Sequence, residues 1–123
     1  MGLIGGAVIN NSIKRNNNFI KIEVKDAAKK IKENYFDHIL DVRSLLEYQE
    51  GHLDNVFFYE SLAKNPKLIN QIKKDIKDLS STILIYCRSG RRASQAAQIL
   101  LENGYSNIYV VINGGYTELS KNL

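Results

Sequence analysis

The sequence predicts an α/β fold, a three-layer sandwich whose mostly parallel central sheet of about five strands is flanked by helices. Two observations predict it. Short β-like apolar segments alternate with helix-period segments along the chain from residue 19 onwards. One of them, "TILIYC" (82–87), is a nearly unbroken apolar run, the pattern of a central parallel strand covered on both faces. The 123 residues fit one domain. A chain of this size buries roughly two thirds of its extended surface, enough for a real core.

Residues 1–18 end in "INNSIKRNNN" and are expected to form a loosely held arm, with the folded domain over 19–123. "FIKIEV" (19–24) alternates apolar and polar residues and reads as a half-buried strand. "KDAAKKIKENY" (25–35) has helical spacing, with Asp26 in the first turn where the helix dipole favours an acid. "HILDV" (38–42) is a short buried strand. "SLLEYQEG" (44–51) is a short helix, with Ser44 and Glu47 in capping-box spacing and Gly51 as its stop. "VFFY" (56–59) is a third strand. A helix is expected over 65–80, with Asn65 as N-cap, Pro66 at the first position and Leu68, Ile69, Ile72, Ile76 and Leu79 on one stripe. After the 82–87 strand, a helix begins at Arg91. It buries Ala93, Ala96, Ala97, Leu100 and Leu101 and stops near Gly104. "NIYVV" (107–111) is the last strand, and "NGGYTELSKNL" makes a turn and a short terminal helix.

Composition excludes several function classes. Seventeen basic and 13 acidic residues give a net charge of +4. The lysines are interleaved with acids along helix faces, a pattern of solvated surfaces, so no nucleic-acid partner is expected. No run reaches the ~18 apolar residues of a membrane helix. The N-terminus lacks the basic lead-in of a signal peptide, and Gly6 breaks the myristoylation pattern. A cytoplasmic protein with no membrane partner is expected. The single cysteine excludes an internal disulfide and any cysteine cluster for zinc or iron–sulfur. His38 and His52 offer no metal site, so no metal is expected; His52 reads as a hydrogen-bonded structural residue.

That cysteine, Cys87, ends the central strand and is followed by "RSGRR". A short loop from a strand into a helix aims backbone N–H groups into one concavity, and the helix adds the positive end of its dipole. Gly90 permits a backbone shape closed to other residues. Ser89 is small and can donate a hydroxyl. A free thiol titrates near ~8.5, and helix N-termini or neighbouring guanidinium groups favour the reactive thiolate. Cys87 is the candidate nucleophile, expected at the solvent-reachable floor of this cradle. Arg88, Ser89, Gly90, Arg91 and Arg92 are the candidate substrate-binding residues. The three arginines cannot all face one small pocket. Arg88, beside the thiol, is assigned to the substrate, whereas Arg92 has the alternative of pairing with a carboxylate across the loop.

With these residues in place, the chain resembles the single-domain rhodanese family of sulfurtransferases. "CRSGRR" resembles its six-residue active loop. "HILDVRSLLEYQEGHLDNV" resembles its Asp-Val-Arg segment with the downstream Glu-Tyr and Gly-His pairs, and "NGGY" resembles its Gly-Gly turn. The likeness spans roughly residues 19 to 120. Two departures stand out. Leu53-Asp54-Asn55-Val56 replaces an Ile-Pro-Gly-Ala type stretch, and Asn55 is expected to keep the turn because it tolerates left-handed backbone. A Trp usual after the Gly-Gly pair is absent, and Tyr116 and Leu119 fill that neighbourhood.

The resemblance implies that Cys87 takes the outer sulfur of a small anionic donor such as thiosulfate. A persulfide forms, which is passed to cyanide or a thiol, with a sulfur-relay protein as a possible partner. Loop N–H groups of residues 88 to 92 would hold the terminal sulfur. Asp41 and Arg43 end a strand on the ligand side of the sheet; an ion pair bracing the loop and no role at all are both open. Arg43 and Glu47 have the i, i+4 spacing of a simple surface pair. A non-catalytic carrier or partner-binding module is the alternative. A related phosphatase or arsenate reductase needs one more residue between Cys and Arg, and that position here is Ala93.

Overall fold

The computed structural model describes residues 18–123. The arm expected over 1–18 lies outside the described residues, apart from Asn18. The elements alternate as β1 (Ile20–Glu23), α1 (Val24–Lys32), β2 (His38–Asp41), α2 (Leu45–Glu50), β3 (Phe57–Phe58), α3 (Ile69–Asp75), β4 (Thr82–Tyr86), α4 (Arg91–Glu102), β5 (Asn107–Ile112) and α5 (Tyr116–Lys121). The five strands form one sheet in the order β1-β5-β4-β2-β3, and every neighbouring pair is parallel.

Strand alternation sends the side chains of β4 into two cores. Ile83, Ile85 and Cys87 join Leu40, Ile108 and Val110 against α3 and α4, which contribute Ile72, Ala93, Ala97 and Leu100, with Ile76 just past the end of α3. Leu84 and Tyr86 join Ile22 and Val111 on the opposite face, against Ala27 and Ala28 of α1 and Leu119 of α5. Both faces of β4 are covered, which is why its sequence is apolar without alternation. Leu40, Ile83, Leu84 and Ile85 have no exposed surface.

Local chemistry sets the element ends. Ser44 and Glu47 form the capping box of α2: the Glu47 N–H donates to Ser44 Oγ at 3.2 Å, and the Ser44 N–H donates to Glu47 Oε1 at 3.1 Å. Asn55 adopts φ +57°, so the turn expected there keeps its left-handed residue. The helix expected over 65–80 is shorter than its apolar stripe. Pro66 opens a 3-10 turn, Pro66–Leu68, and only Ile69–Asp75 is α-helical. The stop has two causes. Tyr105 Oη donates to the Ile76 carbonyl at 2.5 Å, taking up a carbonyl the helix would have used. Asp78 accepts from the Ser80 N–H at 2.8 Å, a local turn that competes with helix. Leu79 consequently leaves the stripe and is 45% exposed.

The start of α5 packs directly on Cys87, the residue that follows β4. The Tyr116 N–H donates to the Cys87 carbonyl at 3.0 Å. A Cβ at Gly115 would overlap the same carbonyl oxygen and the Arg88 backbone. Gly115→Ala is therefore expected to cost about 1–3 kcal/mol, the usual penalty of forcing packed backbone apart. Urea midpoints of the two proteins measure it, and an unchanged midpoint would show that the contact yields freely.

Candidate active site

Cys87 leaves β4 and α4 starts four residues later, at Arg91, with Gly90 as its N-cap. Gly90 takes φ +107°, and a Cβ there would stand 2.9 Å from the Val111 carbonyl oxygen. Both the turn and the close approach of β5 require glycine. The turn aims the Gly90 N–H at Cys87 Sγ at 3.1 Å and the Ala93 N–H at the same atom at 3.4 Å. These are amides from the N-terminus of α4, where no carbonyl within the helix is available to them. Sγ takes the place of that partner. Ala93 lies outside the residues assigned to the site from sequence; the signal for it is its position in the first turn of a helix that begins just after the cysteine.

The five loop residues divide. Arg88, Ser89 and Arg91 are exposed, and their side chains make no hydrogen bond or ion pair among the described residues. Gly90 is buried under Sγ. Arg92 takes its alternative role: its Nη1 and Nη2 donate to Glu47 Oε1 and Oε2 at 2.7 and 3.0 Å. The bidentate pair ties the first turn of α4 to α2. Hydrogen bonding from Arg92, helped by Ser44, holds the Glu47 carboxyl down at about 2. The Glu47 hydrogen bond in turn raises the Arg92 guanidinium above its ordinary value, with burial opposing and the charge of Cys87 among the smaller contributions.

The surface pair expected between Arg43 and Glu47 is not formed. Arg43 turns inward to Asp41, its Nη2 donating to Oδ2 at 2.7 Å. Its Nε donates to Oδ1 at 3.0 Å, and its own N–H donates to the same oxygen at 3.0 Å. Nη2 also reaches the Gly51 carbonyl at 2.6 Å. Asp41 has no exposed surface and Arg43 is 4% exposed. Burial opposes the Arg43 charge, and the bonds and attraction to Asp41 outweigh it, so its pKa rises. Tyr86 completes the cluster. Its hydroxyl donates to Asp41 Oδ2 at 2.7 Å and accepts from the Leu53 N–H at 3.2 Å. Burial, with Asp41 beside it, pushes that phenol well up. The Arg43 guanidinium lies 5.5 Å from the Tyr86 ring centre and 4.6 Å from that of Tyr116. Of the two roles open to Asp41 and Arg43, the structure has the brace.

His52 stacks on Tyr48 at 3.7 Å between ring centres, with Nδ1 2.9 Å from the Tyr48 carbonyl. His38 stacks on Phe57. Neither faces the loop. Among the described residues no group of three His, Cys, Asp or Glu converges to hold a metal ion, and no helix is long and apolar enough to cross a membrane.

Two clefts flank Arg88. One of about 310 Å³ is lined by Arg43, Glu47, Glu50, Gly51, Arg88, Tyr116 and Thr117. The other, about 1000 Å³, runs from Arg88, Ser89 and Arg91 along α4 to Glu102. Cys87 lines neither and has no exposed surface. The thiol expected at a solvent-reachable floor is instead covered: Cys87 belongs to the buried cluster between the sheet and α3 and α4, and the Gly90 and Ala93 amides close on its Sγ.

The sign of the Glu47 shift sets a pH dependence. Its folded pKa lies below the ordinary 4.5, so the stabilisation is complete above that value and is lost as pH falls toward about 2. Both partners are partly exposed, which screens the pair to about 1 kcal/mol. Glu47→Gln is expected to be less stable than the parent by that amount at pH 7. The gap should close in acid. Urea unfolding across this range measures it, and a constant gap would show that the pair contributes nothing.

Comparison with known proteins fits this geometry. The Rhodanese-like domain family matches residues 23–122. Over 95 residues the chain is 27% identical to a tRNA uridine(34) hydroxylase of Chlamydia caviae, covering 76% of this chain and 28% of the relative. Over 84 residues it is 31% identical to the Photorhabdus laumondii protein of the same name, covering 67% and 23%. The chain thus spans about a quarter of the length of these curated relatives. Among solved structures, an E. coli rhodanese with anions is 30% identical, with TM-score 0.55, covering 66% of this chain and 88% of that one. A Helicobacter pylori protein solved by NMR is 27% identical, with TM-score 0.64, covering 83% of each chain. The chain belongs to the rhodanese-like domain family.

Proposed function

We propose that this domain is a sulfurtransferase that carries a sulfane sulfur on Cys87. The observation that carries the reading is the convergence of the Gly90 and Ala93 N–H groups on Sγ, beneath a rim that holds Arg88 and Arg91 exposed and without carboxylate partners. Preorganised amide hydrogens are what an anionic sulfur needs. Unpaired guanidinium groups attract an anionic donor. In the first half-reaction Cys87 thiolate attacks the outer sulfur of thiosulfate. The S–S bond of thiosulfate breaks, sulfite leaves with the electron pair, and an anionic persulfide remains. In the second, cyanide or a thiolate attacks the terminal sulfur and returns the electron pair to Sγ. No metal or organic cofactor enters either step, and ping-pong kinetics follow. A thiol used this way belongs in a reducing compartment such as the cytoplasm.

The buried Ala93 argues against the phosphatase and arsenate-reductase reading. It stands at the position where those loops carry the arginine that clamps the oxyanion, and its side chain packs in the core. A second reading rests on the short share of the relatives that this chain spans. A domain matching about a quarter of tRNA uridine(34) hydroxylases would act as a persulfide carrier or partner-binding module within a larger reaction, receiving sulfur from a relay protein rather than from thiosulfate.

Because Sγ is covered, loading requires the exposed Arg88–Ser89 segment to move aside. Intact mass after incubation with thiosulfate is expected to show one added sulfur atom, absent in Cys87→Ser. Thiocyanate should then form with cyanide. A loaded protein obtained only from a persulfide-bearing partner would move the assignment to the carrier. No added sulfur from either source would sink both. Arg88→Ala is expected to raise KM for thiosulfate about tenfold or more, with a smaller effect on kcat. An unchanged KM removes Arg88 from the site.

A further inference from the structure

We propose that the long groove beside α4 docks the sulfur acceptor, and that the acceptor presents an extended acidic peptide segment carrying the receiving thiol. The inference rests on the Cys87 persulfide reading and adds the class of partner.

The groove starts at the active loop. Lys64, Arg88 and Arg91 line it, all exposed and without an ion pair among the described residues. Arg92 also lines it, but its charge is held by Glu47. The one acid in the lining is Glu102, at the far end of α4. Arg91, Gln95, Gln98, Ile99 and Glu102 fall at i, i+4, i+7, i+8 and i+11, one face of the helix. From Arg91 to Glu102 the helix rises about 16 Å, which an extended peptide covers in about five residues. The groove is therefore polar along its length, positive at the loop and negative at the far end.

Its chemistry selects a peptide over a nucleic acid. No aromatic ring lines it, so unstacked bases have no platform. Gln95 and Gln98 are exposed and make no side-chain hydrogen bond among the described residues; their amides match the donors and acceptors of an extended backbone. Ala63 and Ile99 give a small apolar footing. The smaller cleft on the other side of Arg88, about 310 Å³, is too short for an extended chain. Arg88 borders both. A thiolate held beside Arg88, its proton already lost to solvent, attacks the terminal sulfur of the Cys87 persulfide. The Sγ–S bond breaks, its electron pair stays on Sγ, and a new S–S bond forms on the acceptor with no net change of oxidation state.

The test uses three synthetic peptides of equal length, acidic, neutral and basic, each with one cysteine, and a labelled acidic peptide with serine in its place. The labelled peptide is expected to bind the full chain by fluorescence anisotropy, and to bind about tenfold more weakly in Lys64→Glu, in Gln98→Glu and on raising salt. With Cys87 loaded, sulfur should pass about tenfold faster to the acidic thiol than to the others. Lys64→Glu should remove that preference while thiosulfate loading and cyanide discharge stay as in the parent. Equal transfer to all three peptides, or no effect of Lys64→Glu and Gln98→Glu on binding, overturns the proposal. So does single-stranded RNA displacing the acidic peptide at lower concentration than the peptide itself, which would make the groove a nucleic-acid surface. If Cys87 never loads, the persulfide reading fails, and the anisotropy result still decides the docking surface by itself.

Discussion

A carboxylate with no exposure, Asp41, is the constraint on which the site depends. An ionised group removed from water needs its lone pairs filled by donors, or it destabilises the fold by several kcal/mol. Its oxygens accept from the Arg43 backbone, the Arg43 guanidinium and the Tyr86 hydroxyl. Each donor then fixes something else. Tyr86 links the end of β2 to the end of β4 and, through the Leu53 N–H, to the segment after α2. Arg43 reaches Gly51 and lies near the ring of Tyr116, whose N–H holds the carbonyl of Cys87. Cys87 is thus held from behind by a chain of contacts that begins at the neighbouring strand.

The second brace is weaker and on the opposite side of the loop. Glu47 is already committed to capping α2, so its carboxylate stands ready for Arg92 without further ordering of its own. Breaking the buried Asp41 pair would leave an uncompensated charge, at about 3–5 kcal/mol. The partly exposed Arg92 pair is screened to roughly a quarter of that. This difference has a mechanical meaning. The strand end before Cys87 is held by buried bonds, while the Arg92 pair that ties α4 to α2 is one that water can replace.

Much of this was legible in the sequence, for reasons that are local. The Cys-to-helix loop, the need for glycine at position 90, the Ser44–Glu47 box and the left-handed Asn55 are each fixed by a few adjacent residues. The parts that were not legible depend on contacts across the sheet. A strand apolar on both faces gives no side to Tyr86, so its bond to Asp41 could not be read. The i, i+4 spacing of Arg43 and Glu47 permits that pair without excluding a partner two residues back, and burial of Asp41 decides for the latter. The apolar stripe over 65–80 continues past the point where Tyr105 and Asp78 end the helix. Gly115 looks like an ordinary turn residue until the Cys87 carbonyl is brought against it.

The covered thiol follows from its place in the core and from the amides that close on it. Sγ already uses the Gly90 and Ala93 amides. A persulfide adds a second sulfur about 2.05 Å further out, and that atom needs both room and donors. Gly90 cannot withdraw toward β5, because the Val111 carbonyl stands behind it. Cys87 cannot withdraw toward α5, because Gly115 and Tyr116 are packed on its carbonyl. Arg88 and Ser89, exposed and with unbonded side chains, are the part of the ring with least to lose by moving. On the proposed persulfide reading, a sulfur carried on Cys87 would find its space at Arg88, the residue that borders both the small cleft and the long groove.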